Sequence, residues 1–174
     1  MYNYHLRTEK SEIKSYFKYT EENKTECFFE LDNEFYCERA IYKTENELVN
    51  TYLTIEQAPY FLPEGSLKES LEFMDSCSKE EFDILWKEST VKSQSGWNDL
   101  KKKYNIGEKI KTRILCFYPT GIISNFGEDF NAISDFKDCK EKFGKEKMYP
   151  NNEMELVISK FDDINQIVQL KTNE

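Results

Sequence analysis

Histidine, glycine and proline are scarce in this chain of 174 residues, which holds one His, 6 Gly and 4 Pro. The glycines, Gly65, Gly96, Gly107, Gly121, Gly127 and Gly144, stand too far apart to make a loop that cradles phosphate. The single histidine, His5, sits near the start of the chain, where an exposed side chain is the ordinary role. Without a second histidine, zinc-hydrolase and Ser-His-Asp chemistry lack their usual parts. The five cysteines, Cys27, Cys37, Cys77, Cys116 and Cys139, are odd in number and have no Cys-x-x-Cys spacing. That argues against a disulfide framework or a zinc site and for reduced thiols in a cytosolic protein. No apolar run approaches the roughly 20 residues that cross a bilayer. The opening Met1-Tyr2-Asn3-Tyr4-His5-Leu6-Arg7 lacks the basic head and apolar stretch of a secretory signal. The expectation is a cytoplasmic protein with no membrane segment, no cofactor and no catalytic centre.

Aromatic side chains are abundant instead, with 13 Phe and 11 Tyr, and such flat groups suit the pleated faces of sheets. The net charge of −9 is unevenly placed. Residues 1–96 carry 11 Lys/Arg against 20 Asp/Glu, whereas residues 97–174 carry 13 of each. An acidic half repels a phosphate backbone and attracts basic surfaces. Simple solubility explains the same acidity equally well.

The pattern divides the chain into an acidic α+β domain over residues 1–92 and a second domain over 97–174. Residues 8–24 read as a mobile arm or a loosely attached strand. Residues 27–31, 35–42 and 47–53 read as a three-stranded antiparallel meander, with Asp32-Asn33 as a hairpin turn. In the second of these runs Phe35, Cys37, Arg39 and Ile41 alternate with Tyr36, Glu38, Ala40 and Tyr42, the period of a half-buried strand. After a connection over residues 57–65, Leu67, Leu71 and Met74 mark a short helix. Ser78-Lys79-Glu80-Glu81 is a capping box, and Phe82, Leu85 and Trp86 then share one helix face. Residues 88–96 read as a linker. Trp97, Leu100 and Tyr104 line a short helix that would plug or cap a barrel. Strands follow at 111–117 and 122–126 around the turn Tyr118-Pro119-Thr120-Gly121, then the segment 131–136, a long loop and a hairpin over 153–170.

The second domain resembles the RNA-binding domain first known from the ribosomal protein called S-one, an OB-fold of five strands. The resemblance lies in Gly107-Glu108-Lys109-Ile110-Lys111, Pro119-Thr120-Gly121-Ile122-Ile123, Ile133-Ser134-Asp135-Phe136 and the hairpin 153–170, about two fifths of the chain. It is also similar to short bacterial proteins that carry this barrel almost alone, through Trp97, Lys101-Lys102-Lys103, Gly107, Pro119-Thr120-Gly121, Tyr149-Pro150 and Asn165-Gln166-Ile167. Those proteins resemble members of toxin–immunity neighbourhoods, in which a cytosolic protein binds and silences a delivered toxin. The first half is similar to small acidic domains of the same kind through Phe28-Phe29-Glu30-Leu31-Asp32 and Ser78-Lys79-Glu80-Glu81-Phe82. The implied fold is an N-terminal antiparallel sheet with helices, followed by a five-stranded OB-type barrel.

The departures from the resemblance are chemical. Members that bind RNA place Phe after the Pro, another Phe two residues past the Gly, and His before Ile-Ser-Asp. Here those positions hold Thr120, Ile123 and Ala132. Base stacking on one aromatic contributes roughly 1–3 kcal/mol, so the RNA chemistry is stripped from the barrel. Asn151-Asn152 replaces the usual Gly before the last hairpin, a tolerated change because Asn enters the left-handed region readily. The implied partner is therefore a cognate protein toxin, plausibly a basic nuclease, with Tyr36, Glu38, Tyr42 and Glu45 as the expected contact surface. The alternative is a modified RNA-binding barrel that uses Lys101, Lys102, Lys103, Arg113 and an exposed Tyr118, with Lys109 and Lys111 alongside. A solvated helix face and strand start is the favoured reading of those basic residues. Asp162-Asp163 and Glu128-Asp129 read as turns, and Phe126 and Phe130 as barrel core.

Overall fold

Residues 13–53, 62–127 and 129–173 are described by the computed structural model, and they build two β-systems. One is a five-stranded antiparallel sheet of β1 (Ser15–Thr20), β2 (Glu26–Leu31), β3 (Cys37–Lys43), β4 (Leu48–Asn50) and β5 (Asp75–Ser76), in the order β4-β3-β2-β1-β5. The other is a closed barrel of β6 (Lys109–Tyr118), β7 (Gly121–Phe126), β8 (Phe130–Ser134), β9 (Glu153–Asp162) and β10 (Ile167–Lys171).

The meander forms as the alternation predicts, with shorter strands. Asp32 Oδ1 accepts the N–H groups of Glu34 at 2.7 Å and Tyr36 at 2.9 Å, and Phe35 takes a φ of 64°. Phe35 therefore belongs to the turn, and β3 starts at Cys37. Asn50 ends β4 in the same manner, its Oδ1 accepting from Tyr52 and Leu53 at 3.0 and 3.2 Å. Of the two readings of residues 8–24, the strand holds where the segment is described, but it is firmly paired: β1 pairs with β2 from Ser15↔Leu31 to Thr20↔Glu26 and stands between β2 and β5. Its polarity misled because its polar groups have partners. Tyr16 donates to Glu30 at 2.9 Å, and Lys18 to Glu81 at 3.0 Å. His5 and residues 8–12 lie outside the described residues.

Leu67, Leu71 and Met74 lie along a 3-10 helix, Lys68–Phe73, and pack on the sheet's core. Helix α1 (Lys79–Ser89) starts as expected, with Ser78 Oγ accepting the N–H of Glu81 at 3.0 Å. The Glu81 carboxylate receives Lys18 instead of reaching back to close the box. Phe82 and Trp86 are fully buried against the sheet. Residues 88–96 are not a linker. They are the end of α1, a turn and the start of α2 (Gln94–Lys103), with Ser89 and Thr90 buried. Serine and lysine suggested flexibility, but Asn50 Nδ2 donates to Ser89 Oγ at 2.8 Å and Gln166 Nε2 to the Thr90 carbonyl at 3.1 Å.

Trp97 and Leu100 of α2 enter the barrel's apolar cluster with Phe126, Phe130 and Phe161, so the helix plugs the barrel as predicted. The walls close through antiparallel β6–β9 pairing and parallel β8–β10 pairing. The stretch expected as a long loop after residue 136 contains α3 (Phe136–Phe143), capped by Asp135 Oδ1 at 2.8 Å from the N–H of Asp138. Gly121 has a φ of +146°, and a Cβ there would lie 2.5 Å from the Ser134 carbonyl oxygen, so the strands approach too closely for any side chain. Asn151 adopts a φ of 71°, as expected for the residue replacing glycine.

Strand register places Tyr16, Glu30 and Arg39 side by side beneath α1. Arg39 donates twice to Glu30, at 2.9 Å through Nε and 2.6 Å through Nη2, and its guanidinium lies over Phe82 and Trp86 at 5.1 and 4.7 Å. Removing Arg39 would strand a buried carboxylate. We expect Arg39→Ala to lower unfolding free energy by about 3–5 kcal/mol, and Glu30→Leu/Arg39→Met to recover most of that loss. Urea denaturation followed by circular dichroism measures both.

Candidate functional site

The outer wall of the barrel is where a ligand would be sought, and there the chain meets itself. Pairing of Ile123 with Ile133 and of Ser124 with Ala132 sets the first pair outward and the second inward. Ile123 is buried in the cluster that also holds Phe28, Leu31, Phe82 and Trp86 of the first half. Ala132 belongs to the barrel interior, so Thr120, Ile123 and Ala132 do not share a face. The wall is roofed by the segment that follows β4. Tyr118 Oη donates to the Thr51 carbonyl at 3.2 Å, and Asn131 Nδ2 to the Tyr52 carbonyl at 3.0 Å. Leu53 forms an isolated antiparallel bridge with Phe130.

Tyr52 is the centre of this contact. Its hydroxyl donates to the Glu38 carbonyl at 3.1 Å and lies 3.1 Å from Thr120 Oγ1. Its ring meets Trp86 edge-on at 5.7 Å and Tyr118 at 6.2 Å. Burial pushes the Tyr52 phenol up to about 12 and raises that of Tyr118 further. Tyr118, expected to be exposed beside Pro119, is 6% exposed. It lies on the outer wall of the barrel, where Thr51 and Tyr52 cover it.

The turn between β9 and β10 is held from the other side by the α1–α2 hairpin. Trp86 Nε1 donates to the Ile164 carbonyl at 3.0 Å, and Trp97 Nε1 to Asp163 Oδ1 at 2.7 Å. Gln166, fully buried, bonds to Ser93, Thr90 and Gln94. Asp162 caps the turn through the N–H groups of Ile164 and Asn165, so Asp162-Asp163 is the turn that was expected. Asp129 lies in the turn between β7 and β8, while Glu128 is outside the described residues.

The four expected partner-contact residues do not form one surface. Tyr36 is half-buried at the exit of the Asp32 turn, and Glu45 is exposed between β3 and β4. Tyr42 lies opposite Cys27 and Val49, both buried, and burial raises its phenol. Glu38 is 6% exposed and receives Lys14. It sits at the bulge in the β2–β3 ladder, which aims both Glu38 and Arg39 into a cleft of about 730 Å³. The basic alternative is partly neutralised. Lys101 pairs with Asp163 at 2.5 Å and Lys102 with Asp99 at 2.9 Å, while Lys103 lies over the Tyr104 ring at 5.4 Å. Arg113 is exposed opposite Glu153 on β9, as Lys111 is opposite Glu155.

The cleft lies between α1, the sheet and the two barrel turns, with Arg39, Lys79, Lys87, Glu38, Asp83 and Asn165 among its walls. Arg39 reaches Asn165 Oδ1 at 3.5 Å across it. Its mixed charges suit a polar contact, and its described lining holds neither histidine nor cysteine. Burial pushes the Cys27 thiol up to about 12 and raises those of Cys37 and Cys139, which keeps them protonated at neutral pH. Among the described residues, no group of three His, Cys, Asp or Glu side chains is placed to hold a metal ion.

Tyr52 and Gln166 escaped sequence reasoning because their partners lie far along the chain. Arg39 left a signal: a single cation within the otherwise apolar set Phe35, Cys37 and Ile41, with Glu30 on the neighbouring strand. Two outcomes test the assembly. Tyr52→Ala should cost about 3–5 kcal/mol. Tyr52→Phe should cost about 0.5–1.5 kcal/mol, and a cycle with Thr120→Val should show coupling between the two hydroxyls. Second, Lys101 and then Trp97 hold the Asp163 carboxyl below its ordinary 3.8. A depressed folded value stabilises above the unfolded one and is lost as pH falls through the folded one. Asp163→Asn should therefore be less stable than the parent at neutral pH, and the gap should close as pH drops below 3.8. Urea titrations across that range read it. No protein-family model matches the chain, and no curated protein does.

Proposed function

We propose that this chain is an immunity protein: it binds a cognate bacterial toxin stoichiometrically in the cytoplasm and blocks it without catalysis or cofactor. In this reading the barrel is an OB-type domain of the S-one kind that serves as scaffold. Its strand order along the wall, β6-β7-β8-β10-β9, with α3 between the third and fourth strands, supports that assignment.

The observation that carries the proposal is the occupied wall. OB barrels grip oligonucleotides with the face of their second and third strands and with the loops joining strands one to two and four to five. Here the corresponding parts are β7–β8, the turn at Thr120 and the turn at 163–166. Tyr52 and Leu53 cover the first, Tyr52 holds the second, and Trp86 and Thr90 of the α1–α2 hairpin hold the third. A partner must therefore meet some other surface, and the acidic half offers one complementary to a basic protein. Such charge steers encounter and rejects wrong partners more than it sets affinity.

Co-expression with the toxin encoded beside the gene tests the proposal. Cells should survive when this protein is made and die when it is omitted. Death in the presence of abundant folded protein rules the reading out. A salt-dependent shift with single-stranded RNA at near-physiological ionic strength would favour the RNA-binding alternative.

A further inference from the structure

Some acids of the first half are paired with cations, and others, Glu34, Glu45 and Glu47 among them, form no ion pair with a described residue. Glu26, Glu30, Glu38, Glu81 and Asp83 each meet a cation, from Lys43, Arg39, Lys14, Lys18 and Lys79. Glu69, Glu72 and Asp75 form no ion pair with any described residue. Glu69 and Glu72 lie three apart on the 3-10 helix Lys68–Phe73, where side chains at that spacing eclipse one another, and Asp75 follows in β5. Lys68, Leu71 and Met74 make a second row. Leu71 and Met74 pack on the core, so the acidic row faces outward.

Phe73 lies beside that row and is 72% exposed. The helix buries none of its residues completely, so it holds this ring in water although a core lies directly beneath. Taking such a ring out of water is favourable, so a partner that buries it gains from the contact. Tyr19 adds a second aromatic, 39% exposed. It follows Lys18, which is paired with Asp75 on the edge strand β5. Lys18, the nearest cation on that strand, is held by Glu81.

We infer that Phe73, flanked by Tyr19 and ringed by Glu69, Glu72 and Asp75, is the docking surface for a basic protein partner. This rests on the immunity reading above and names the face of the molecule that carries it. Phe73 is the anchor that a pocket on the partner takes up, and the carboxylates meet lysine or arginine around its rim. Charge complementarity selects the occupant: exposed carboxylates, of which only Asp75 feels the nearby Lys18, repel a nucleic acid or a second copy of the same surface. Of the residues first expected at the contact, Tyr36 follows Phe35, whose carbonyl accepts from Leu67 at the start of this 3-10 helix at 2.9 Å, and Glu38 is buried and paired.

The test compares the parent chain with Phe73→Ala, Glu69→Lys/Glu72→Lys and Glu45→Lys, using the toxin domain encoded beside the gene as probe. Binding is read by calorimetry and stopped flow, and folding by melting temperature. Phe73→Ala should weaken binding by about 30-fold or more, the factor of a central anchor, through faster dissociation. The double reversal should slow association by about tenfold and flatten its salt dependence. Melting temperatures should stay near the parent's, because none of these side chains is buried. If the parent binds and all three variants bind equally, this surface is wrong and the immunity reading stands. If only Glu45→Lys fails, the interface belongs to the β3–β4 turn and the inference falls. If the folded parent neither binds nor protects, the immunity reading itself fails.

Discussion

Packing of the Thr51-Tyr52-Leu53 segment on the outer wall of the barrel is the constraint on which the rest depends. An aromatic that is 5% exposed joins Trp86 beneath α1 to Tyr118 and Thr120 on the barrel, and the surrounding backbone carbonyls are satisfied across the same contact. Ile123 and Ile167 of the barrel then share one apolar cluster with Phe28, Phe29 and Leu31 of the sheet. Hydrophobic burial and hydrogen bonding act at one place. Neither β-system can be stripped away without exposing the other's core.

The polar interior follows from that packing. Arg39 lies where α1, the sheet and the β9–β10 turn converge, and it is tolerated there because Glu30 accepts from it twice and two rings stack on it. Such a pair adds less to stability than an apolar replacement would, but it fixes register: only one alignment of β1, β2 and β3 sets Tyr16, Glu30 and Arg39 side by side. Gln166 plays the equivalent part at the far turn, where its amide ties the hairpin of the barrel to the hairpin of α1 and α2. The proposed function needs such a body, because a partner bound through one face must be held by a scaffold that does not yield.

Local chemistry was legible in the sequence and long-range chemistry was not. The Ser78 cap, the Trp97–Leu100 face, the strands on either side of Gly121 and the left-handed Asn151 depend on near neighbours, and each was readable from residue type and spacing. Strand β1 was hidden because its tyrosine and lysine look solvated until Glu30 and Glu81, distant in sequence, supply partners. Residues 88–96 looked like a linker because nothing local reveals that Asn50 and Gln166 bind them. Helix α3 was missed although Asp135 sits at its cap, since the run of lysines and acids after it reads as loop. Of the site, Thr120 and Ile123 were singled out from the sequence, and both lie in the contact between barrel and sheet. The residue that covers them, Tyr52, lies 68 positions from Thr120 and carried no mark.

Each β-system holds one tryptophan, Trp86 under α1 and Trp97 in the barrel's plug, and this allows the central claim to be tested directly. In Trp97→Phe and Trp86→Phe variants, urea unfolding is followed by fluorescence and by far-ultraviolet circular dichroism on the same samples. If the barrel wall is an internal interface, the two probes give coincident midpoints in both variants, a single cooperative transition. A Trp97 signal that persists after the sheet has melted would show a barrel that stands alone with its wall open, and would contradict the account.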